Sequence, residues 1–337
     1  ALAGSDFERL LRPETQPAPE TRFLDRATVA KDLVRKLREE EKVHAVVLIG
    51  HAHLDEDIAL AKEVAGIDLI FGTHSHIKRE LGKIEGTETW LISPYQYLTY
   101  VSRVELLFRD GRLSDVGGGL VPIVRSMPEG KVLRRTVKTM QRELERDPKY
   151  RDLFVPIGRA SEELGLEDQL TTETLLGNFV MDVVRGAAKA DLALSTTSSF
   201  RQPIAPGVIR FEDLRATLPY PNRVLLYEMK GSDVRRLLEL SVAKRGSDSF
   251  SQLSGARIRI AGEKLAAIEI GGVPLDDEKA YRLATTDYQA KVAGGYKEIF
   301  ATLTPTDTGL EVRDEVRKAI EKRSPISAKR DGRIVVE

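Results

Sequence analysis

Two short apolar runs, each closed by a glycine and each next to helical spacing, constrain this chain most. Residues 44–49 read His-Ala-Val-Val-Leu-Ile and end at Gly50; residues 67–71 end at Gly72. Continuous apolar runs this short read as buried strands. Upstream, Asp25 is a candidate N-cap for a helix with apolar positions Val29, Leu33, Val34 and Leu37. Between the runs, Ile58, Ala61, Val64 and Ala65 recur at helical spacing. Helix, strand, helix, strand at this pace predicts an α/β layered sheet.

From Thr89 the period changes. Residues 90–92 and 101–108 read as strands, and Asp110-Gly111 between apolar runs signals a hairpin. Gly117-Gly118-Gly119 and Pro122 mark the end of this region. Residues 130–147 form a charged helix whose apolar positions, Leu133, Val137, Met140 and Leu144, make one narrow stripe. It is either a connector between globular regions or an ordinary surface helix. A second region opens near Pro156. Its strongest element is an amphipathic helix over 171–190, with Leu175, Leu176, Phe179, Val180, Val183 and Ala187, leading into a strand at 191–195. Strands follow at 223–229, 256–261, 266–270, 281–285 and 333–336, with helices at 232–243 and 310–322. A length of 337 residues exceeds what one hydrophobic core usually serves. The expected division is 1–126, a joining helix within 127–155, and an α+β domain over 156–337.

Composition excludes several classes. Basic and acidic side chains balance at 52 each, which gives no reason to expect a nucleic acid polymer or an anionic membrane as partner. No apolar run approaches the ~18 residues of a membrane span. The absence of Cys removes disulfides, Cys-ligated zinc and thiol nucleophiles. Residues 1–20 lack the charged-then-apolar layout of a signal peptide, and the chain opens on Ala1, not Met; an upstream segment removed is the expectation.

Four of the five histidines fall between His51 and His76. His51 follows the first buried strand across Gly50; His74 and His76 follow the second across Gly72-Thr73. In an open α/β sheet ligands gather at the C-terminal ends of strands, so neighbouring strands would bring His51, His74 and His76 to one rim. Imidazole is a common ligand for borderline divalent metals. His53 reads as a neighbour and His44, at the strand's other end, as structural. Asp55 and Asp57 suit a helix N-terminus.

These residues resemble a known family. Gly50-His51 with Gly72-Thr73-His74-Ser75-His76 resembles the later half of the metallophosphoesterase domain of the 5′-nucleotidase family. Thr172 to Asn178, Ser199 to Ile204, Leu218 to Asn222 and Tyr281 to Tyr296 resemble that family's C-terminal substrate domain. The resemblance implies that His51, His74 and His76 are metal ligands in a centre of two divalent ions of the zinc, manganese or cobalt kind. It also implies that residues 1–126 are the C-terminal portion of the metallophosphoesterase domain. Family members carry earlier Asp-x-His, Gly-Asp and Gly-Asn-His motifs, which supply the bridging Asp and the catalytic His. Neither Asp-x-His nor Asn-His occurs here. The expectation is a fragment of a larger enzyme, with the N-terminal segment removed or on another chain, so the catalytic His is not assigned.

On the substrate side, Arg201 matches an anion-gripping Arg, Tyr220 and Tyr288 match two rings that sandwich a base, and Asn222 matches a base-contacting amide. Read without the family, the tyrosines are half-buried packing and Arg201 is a surface charge. Departures are Thr196 to Ser199 for a Gly-rich loop, Gly294 for a ribose-binding Asp, Leu170 for a phosphate-binding Arg, and Tyr95-Gln96-Tyr97 for a glycine-richer loop. The resemblance implies metal-dependent hydrolysis of a nucleotide or related phosphate ester, of 5′-nucleotidase or 2′,3′-cyclic phosphodiesterase type, in the periplasm or outside the cell. The alternatives are a non-catalytic nucleotide-binding relative and a thiosulfate-ester hydrolase of the same family.

Overall fold

The computed structural model describes residues 2–4, 7, 22–72, 74–96, 98–124 and 126–337. Most of the opening 1–20 stretch, Thr73 and Tyr97 lie outside the described residues. The chain forms two compact units, Ala1–Gly130 and Lys131–Glu337.

The first unit is built on a five-stranded sheet. Its strands are β1 (Leu2–Ala3), β2 (Val47–His51), β3 (Leu69–Phe71), β4 (Lys78–Lys83) and β5 (Trp90–Pro94), in the order β1-β2-β3-β5-β4. All neighbours are parallel except β4, which runs antiparallel to β5. Leu48 pairs with Ile70, and Ile70 with Leu91. Helices α1 (Arg26–Arg35) and α2 (Leu54–Glu63) cover one face, and Ala30, Leu60, Ala61 and Val64 pack with Leu48, Ile70 and Leu91. Asp25 caps α1 as expected, its side chain accepting from the Thr28 N–H. The expectation that 44–49 is buried throughout is corrected. The strand starts at Val47, and Val47 and Ile49 are exposed while Leu48 is buried, because only the Leu48 side of the strand meets this core.

A two-stranded ribbon, β6 (Tyr100–Arg109) and β7 (Arg112–Pro122), completes the unit. Its turn is Asp110-Gly111, both at positive φ, as the hairpin signal requires. Gly117 to Gly119 lie inside β7 rather than beyond the strands. The backbone explains the central one: at Gly118 (φ +125°) a Cβ would sit 2.1 Å from the Arg103 carbonyl oxygen.

The second unit opens with α3 (Lys131–Arg146), which buries none of its residues. A short 3₁₀ turn at Arg151–Phe154 leads to β8 (Pro156–Ala160). Helix α4 (Leu175–Ala188) carries the deepest apolar face, with Leu176, Val180 and Val184 at most 1% exposed. After it come β9 (Leu192–Thr196), β10 (Gly207–Arg210), α5 (Phe211–Thr217), β11 (Arg223–Lys230), α6 (Gly231–Ala243) and β12 (Ser251–Ser254). Next are β13 (Ala256–Ala261), β14 (Lys264–Ile270), β15 (Val273–Pro274), β16 (Ala280–Thr286), α7 (Asp287–Lys291) and α8 (Tyr296–Phe300). The chain closes with β17 (Thr306–Glu311), α9 (Val312–Arg323) and β18 (Ile334–Val336). A mixed sheet of order β12-β9-β16-β11-β17 forms the centre, with only β9 and β16 parallel; a second sheet has the order β15-β14-β13-β18, and β8 pairs with β10. One core packs α4, α5 and α9 together; the other packs α6, α8 and the sheet of β13 and β14 against β9 and β11.

Candidate functional site

Two groups of residues concentrate chemistry, one in each unit. In the first, parallel β2 and β3 both deliver histidine to their C-terminal edge. His51 is the last residue of β2, and His74 lies three residues past the end of β3. His51 Nε2 and His74 Nδ1 are 2.8 Å apart, within hydrogen-bond reach, and the rings meet edge-on with centroids at 4.6 Å. His53 packs on the other side of His74, centroids 4.2 Å apart. It also stands at the N-cap of α2, where its N–H donates to Glu56 Oε2 at 3.1 Å. Ser75 locks the loop in place: its Oγ accepts from the Leu54 N–H at 2.7 Å. His76 follows on left-handed backbone, φ +53°, and Tyr95 beyond β5 does the same at φ +65°. Left-handed backbone at residues other than Gly is costly and clusters at functional loops.

The described ring contacts therefore join His51, His53 and His74; His76 lies two residues further along. Among the described residues no group of three His, Cys, Asp or Glu is arranged to hold a metal ion. The donor chemistry nonetheless fits part of such a site. His51 Nε2 and His74 Nδ1 face each other at 2.8 Å; in the tautomers that carry the proton on the other ring nitrogen both offer lone pairs, and imidazole suits zinc, cobalt and similar ions. Beneath the rim, Asp57 is 2% exposed and pairs with Arg26 Nη2 at 2.5 Å. Burial pushes its carboxyl up and the Arg26 guanidinium opposes that. Asp57 thus belongs to the support of the loop: a Cβ on Gly72 would sit 3.4 Å from its Oδ2.

In the second unit, β9 runs into a 3₁₀ turn, Thr197–Ser199, and delivers Arg201. The Arg201 N–H donates to the Thr217 carbonyl at 2.9 Å, which ties it to the end of α5. Its Nη2 donates to the Tyr220 hydroxyl at 3.0 Å, and the guanidinium lies 5.5 Å from that ring's centroid. Tyr288 sits in the first turn of α7. Asp287 Oδ1 accepts from the N–H groups of Tyr288 (2.9 Å) and Arg223 (3.1 Å), so α7 is pinned beside the start of β11. Asn222 precedes that start, its carbonyl accepting from the Val312 N–H at 2.9 Å. Tyr220 is 42% and Tyr288 37% exposed, so both rings are reachable from solvent. Burial raises the Tyr288 hydroxyl pKa most; the charge of Asp248 raises it further, while Arg201 and a hydrogen bond with Ser198 pull it down. The structure therefore gathers Arg201, Tyr220 and Tyr288, and adds Ser198 and Asp248. Asp248 carried no signal in the sequence, where it is one polar residue in a Gly-Ser-Asp-Ser turn. Gly294 is exposed with open space at its Cβ position, and the Leu170 carbonyl accepts from the Gly246 N–H.

Residues 156–302 match the family model of the 5′-nucleotidase C-terminal domain. Protein UshA of Yersinia enterocolitica is 27% identical over 90% of this chain, which spans 63% of that relative. Among solved structures, a 5′-nucleotidase precursor from Thermus thermophilus superposes on 96% of this chain and 69% of its own, with TM-score 0.77 and 23% identity. The sulfate thiohydrolase SoxB of Thermus thermophilus covers 99% of this chain, which spans 62% of it, with TM-score 0.75 and 20% identity. The fold is thus that of 5′-nucleotidase structures, a mixed α/β chain. Its homologues are 5′-nucleotidases and related phosphoesterases, along nearly its whole length. Among the described residues no helix is long and apolar enough to cross a membrane.

Proposed function

We propose that this chain belongs to a metal-dependent hydrolase of nucleotide phosphate esters, with nucleotide recognition in the second unit. The observation that carries this reading is the grouping of two half-exposed tyrosines around one arginine, inside the residues that match the 5′-nucleotidase C-terminal domain. A flat base gains ~1–3 kcal/mol from each aromatic face it stacks on. A guanidinium presents a planar donor fork that suits phosphate. Tyr220 and Tyr288 would hold the base, Asn222 one of its polar edges, and Arg201 the anionic group. Release of Arg201 from the Tyr220 hydroxyl would free its donors for the ligand.

In the first unit, His51, His74 and His76 would hold part of a centre of two divalent ions. Bound there, such ions polarise phosphoryl oxygens and lower the pKa of a bound water. The chain's own contribution is positional: Ser75 and Gly72 fix the loop, and the His51–His74 contact must open, with each ring proton on its other nitrogen, before both nitrogens can donate. Three histidines supply only part of the donors that a dinuclear centre needs, so activity is a property of the whole protein. The test is hydrolysis of AMP and 2′,3′-cyclic AMP by that protein with manganese, cobalt or zinc added. Loss of turnover in His74→Ala, with an unchanged circular dichroism spectrum, is expected. Full turnover in that variant would remove the metal role.

The SoxB likeness favours one second reading, a thiosulfate-ester hydrolase. Turnover of thiosulfate esters with no binding of any nucleotide would select it. Nucleotide binding without metal or turnover would instead select a non-catalytic relative.

A further inference from the structure

We propose that Asp248 is a specificity residue of the second unit's site, its carboxylate accepting hydrogen bonds from the vicinal hydroxyls of a bound ribonucleoside. This rests on the nucleotide reading above and names a contact which that reading lacks. The loop that carries Asp248 is fastened along the turn that leads to Arg201. The Asp248 carbonyl accepts from the Ser198 N–H at 2.9 Å and from Thr197 Oγ1 at 2.8 Å, and the Phe250 carbonyl accepts from the Thr197 N–H at 2.7 Å. Behind it, Gln289 Nε2 donates to Ser251 Oγ at 3.0 Å, which couples the start of β12, directly after this loop, to α7 one residue from Tyr288. Asp248 is therefore held beside Ser198 and Tyr288 by backbone that is itself anchored. Its residue is exposed, and its Oδ1 accepts a long hydrogen bond from the neighbouring Ser249 Oγ at 3.4 Å, which a ligand hydroxyl can displace. The charge reaches the Tyr288 hydroxyl, whose pKa it raises, so Asp248 and the ring share one site.

Charge then decides which part of a nucleotide can face it. A carboxylate repels phosphate, so the anionic end belongs at Arg201. Ionised, it only accepts hydrogen bonds and needs donors opposite it. With the base between the two rings, the donor-rich remainder of the ligand is the ribose diol, a partner that acidic side chains take in other nucleotide sites. Hydrogen bonds to a charged acceptor are the stronger kind.

Calorimetric titration of the full chain tests this with three probes: adenosine, 2′,3′-dideoxyadenosine and purine riboside, which lacks only the exocyclic amine. Wild type should favour adenosine over the dideoxy compound by about tenfold or more, and Asp248→Ala should bring the two within about threefold. Asp248 is exposed, so the substitution leaves the fold intact, and Asp248→Asn should give an intermediate ratio. An unchanged ratio in Asp248→Ala overturns the assignment. So does a variant that loses discrimination between adenosine and purine riboside instead, because the carboxylate would then read the base. If wild type binds no adenosine at all, the nucleotide reading itself fails, a result distinct from a ratio that persists.

Discussion

At the scale of single residues, the second unit's site depends on two half-exposed rings, Tyr220 and Tyr288. Removing one ring should therefore cost one stacking contact and little structure. Tyr288→Ala should weaken AMP binding by ~1–3 kcal/mol, and Tyr288→Phe should keep most of the affinity, since the ring face remains. Equal losses in both variants, measured by calorimetry, would move the role from the ring to the hydroxyl. Gly294 offers a second check. A Cβ there meets nothing within 4 Å, and the position is exposed. Gly294→Asp should change stability by no more than about 0.5 kcal/mol, so any gain in ribonucleoside affinity can be read without a folding correction.

At the scale of elements, helix α4 shows how a polar strand can be a core strand. Gln252 is fully buried in β12, and its side-chain oxygen accepts from the Thr174 N–H at 2.9 Å while its Nε2 donates to the Thr172 carbonyl at 2.8 Å. Thr174 Oγ1 in turn caps α4 through the Gly177 N–H at 2.9 Å. The fit leaves no room at Gly177, where a Cβ would lie 2.3 Å from Gln252 Oε1. Gly177→Ala should thus destabilise the protein by about 1–3 kcal/mol, despite alanine's better helix propensity; a variant with raised denaturation temperature would refute the packing argument. The same element explains what the sequence could and could not disclose. Helix α4 was legible because Leu176, Val180 and Val184 recur on one stripe. Strand β12, Ser-Gln-Leu-Ser, was not, because its burial rests on hydrogen bonds formed only after folding. Strand β4 escaped because Lys-Arg-Glu-Leu-Gly-Lys is a charged edge strand with no apolar period. The histidine pairing of His51 with His74 was visible from two strand ends of equal kind. Asp248 was invisible because a loop brings it beside Thr197 and Ser198 from some fifty residues further along the chain.

At the scale of the whole molecule, the last residues of the chain close the second unit through one buried cation. Arg333 is 8% exposed and reaches back to Asp182 on α4 at 3.0 Å, to the Leu253 carbonyl on β12 at 3.0 Å and to Asp331 at 2.8 Å. Burial works against its charge, but Asp331 and Asp182 outweigh that and raise its pKa further. Glu173 extends the network by accepting from the Gly332 N–H at 2.8 Å. Asp182 and Asp331 are half-exposed and regain water when the cation goes, so Arg333→Ala should cost about 1–3 kcal/mol, chiefly through the buried Leu253 carbonyl and Glu173 left without it. The acid side gives a sharper test. Asp331 is held below its ordinary value of 3.8, first by its hydrogen bond with Arg333. A lowered folded pKa adds stability above the ordinary value, and that stability is lost as pH falls through the lowered one. The stability gap between wild type and Asp331→Asn should therefore be full at neutral pH and close in acid, followed by urea denaturation across a pH series. A gap that stays constant below pH 3.8 would mean that the ion pair contributes nothing and that Asp331 acts only through packing.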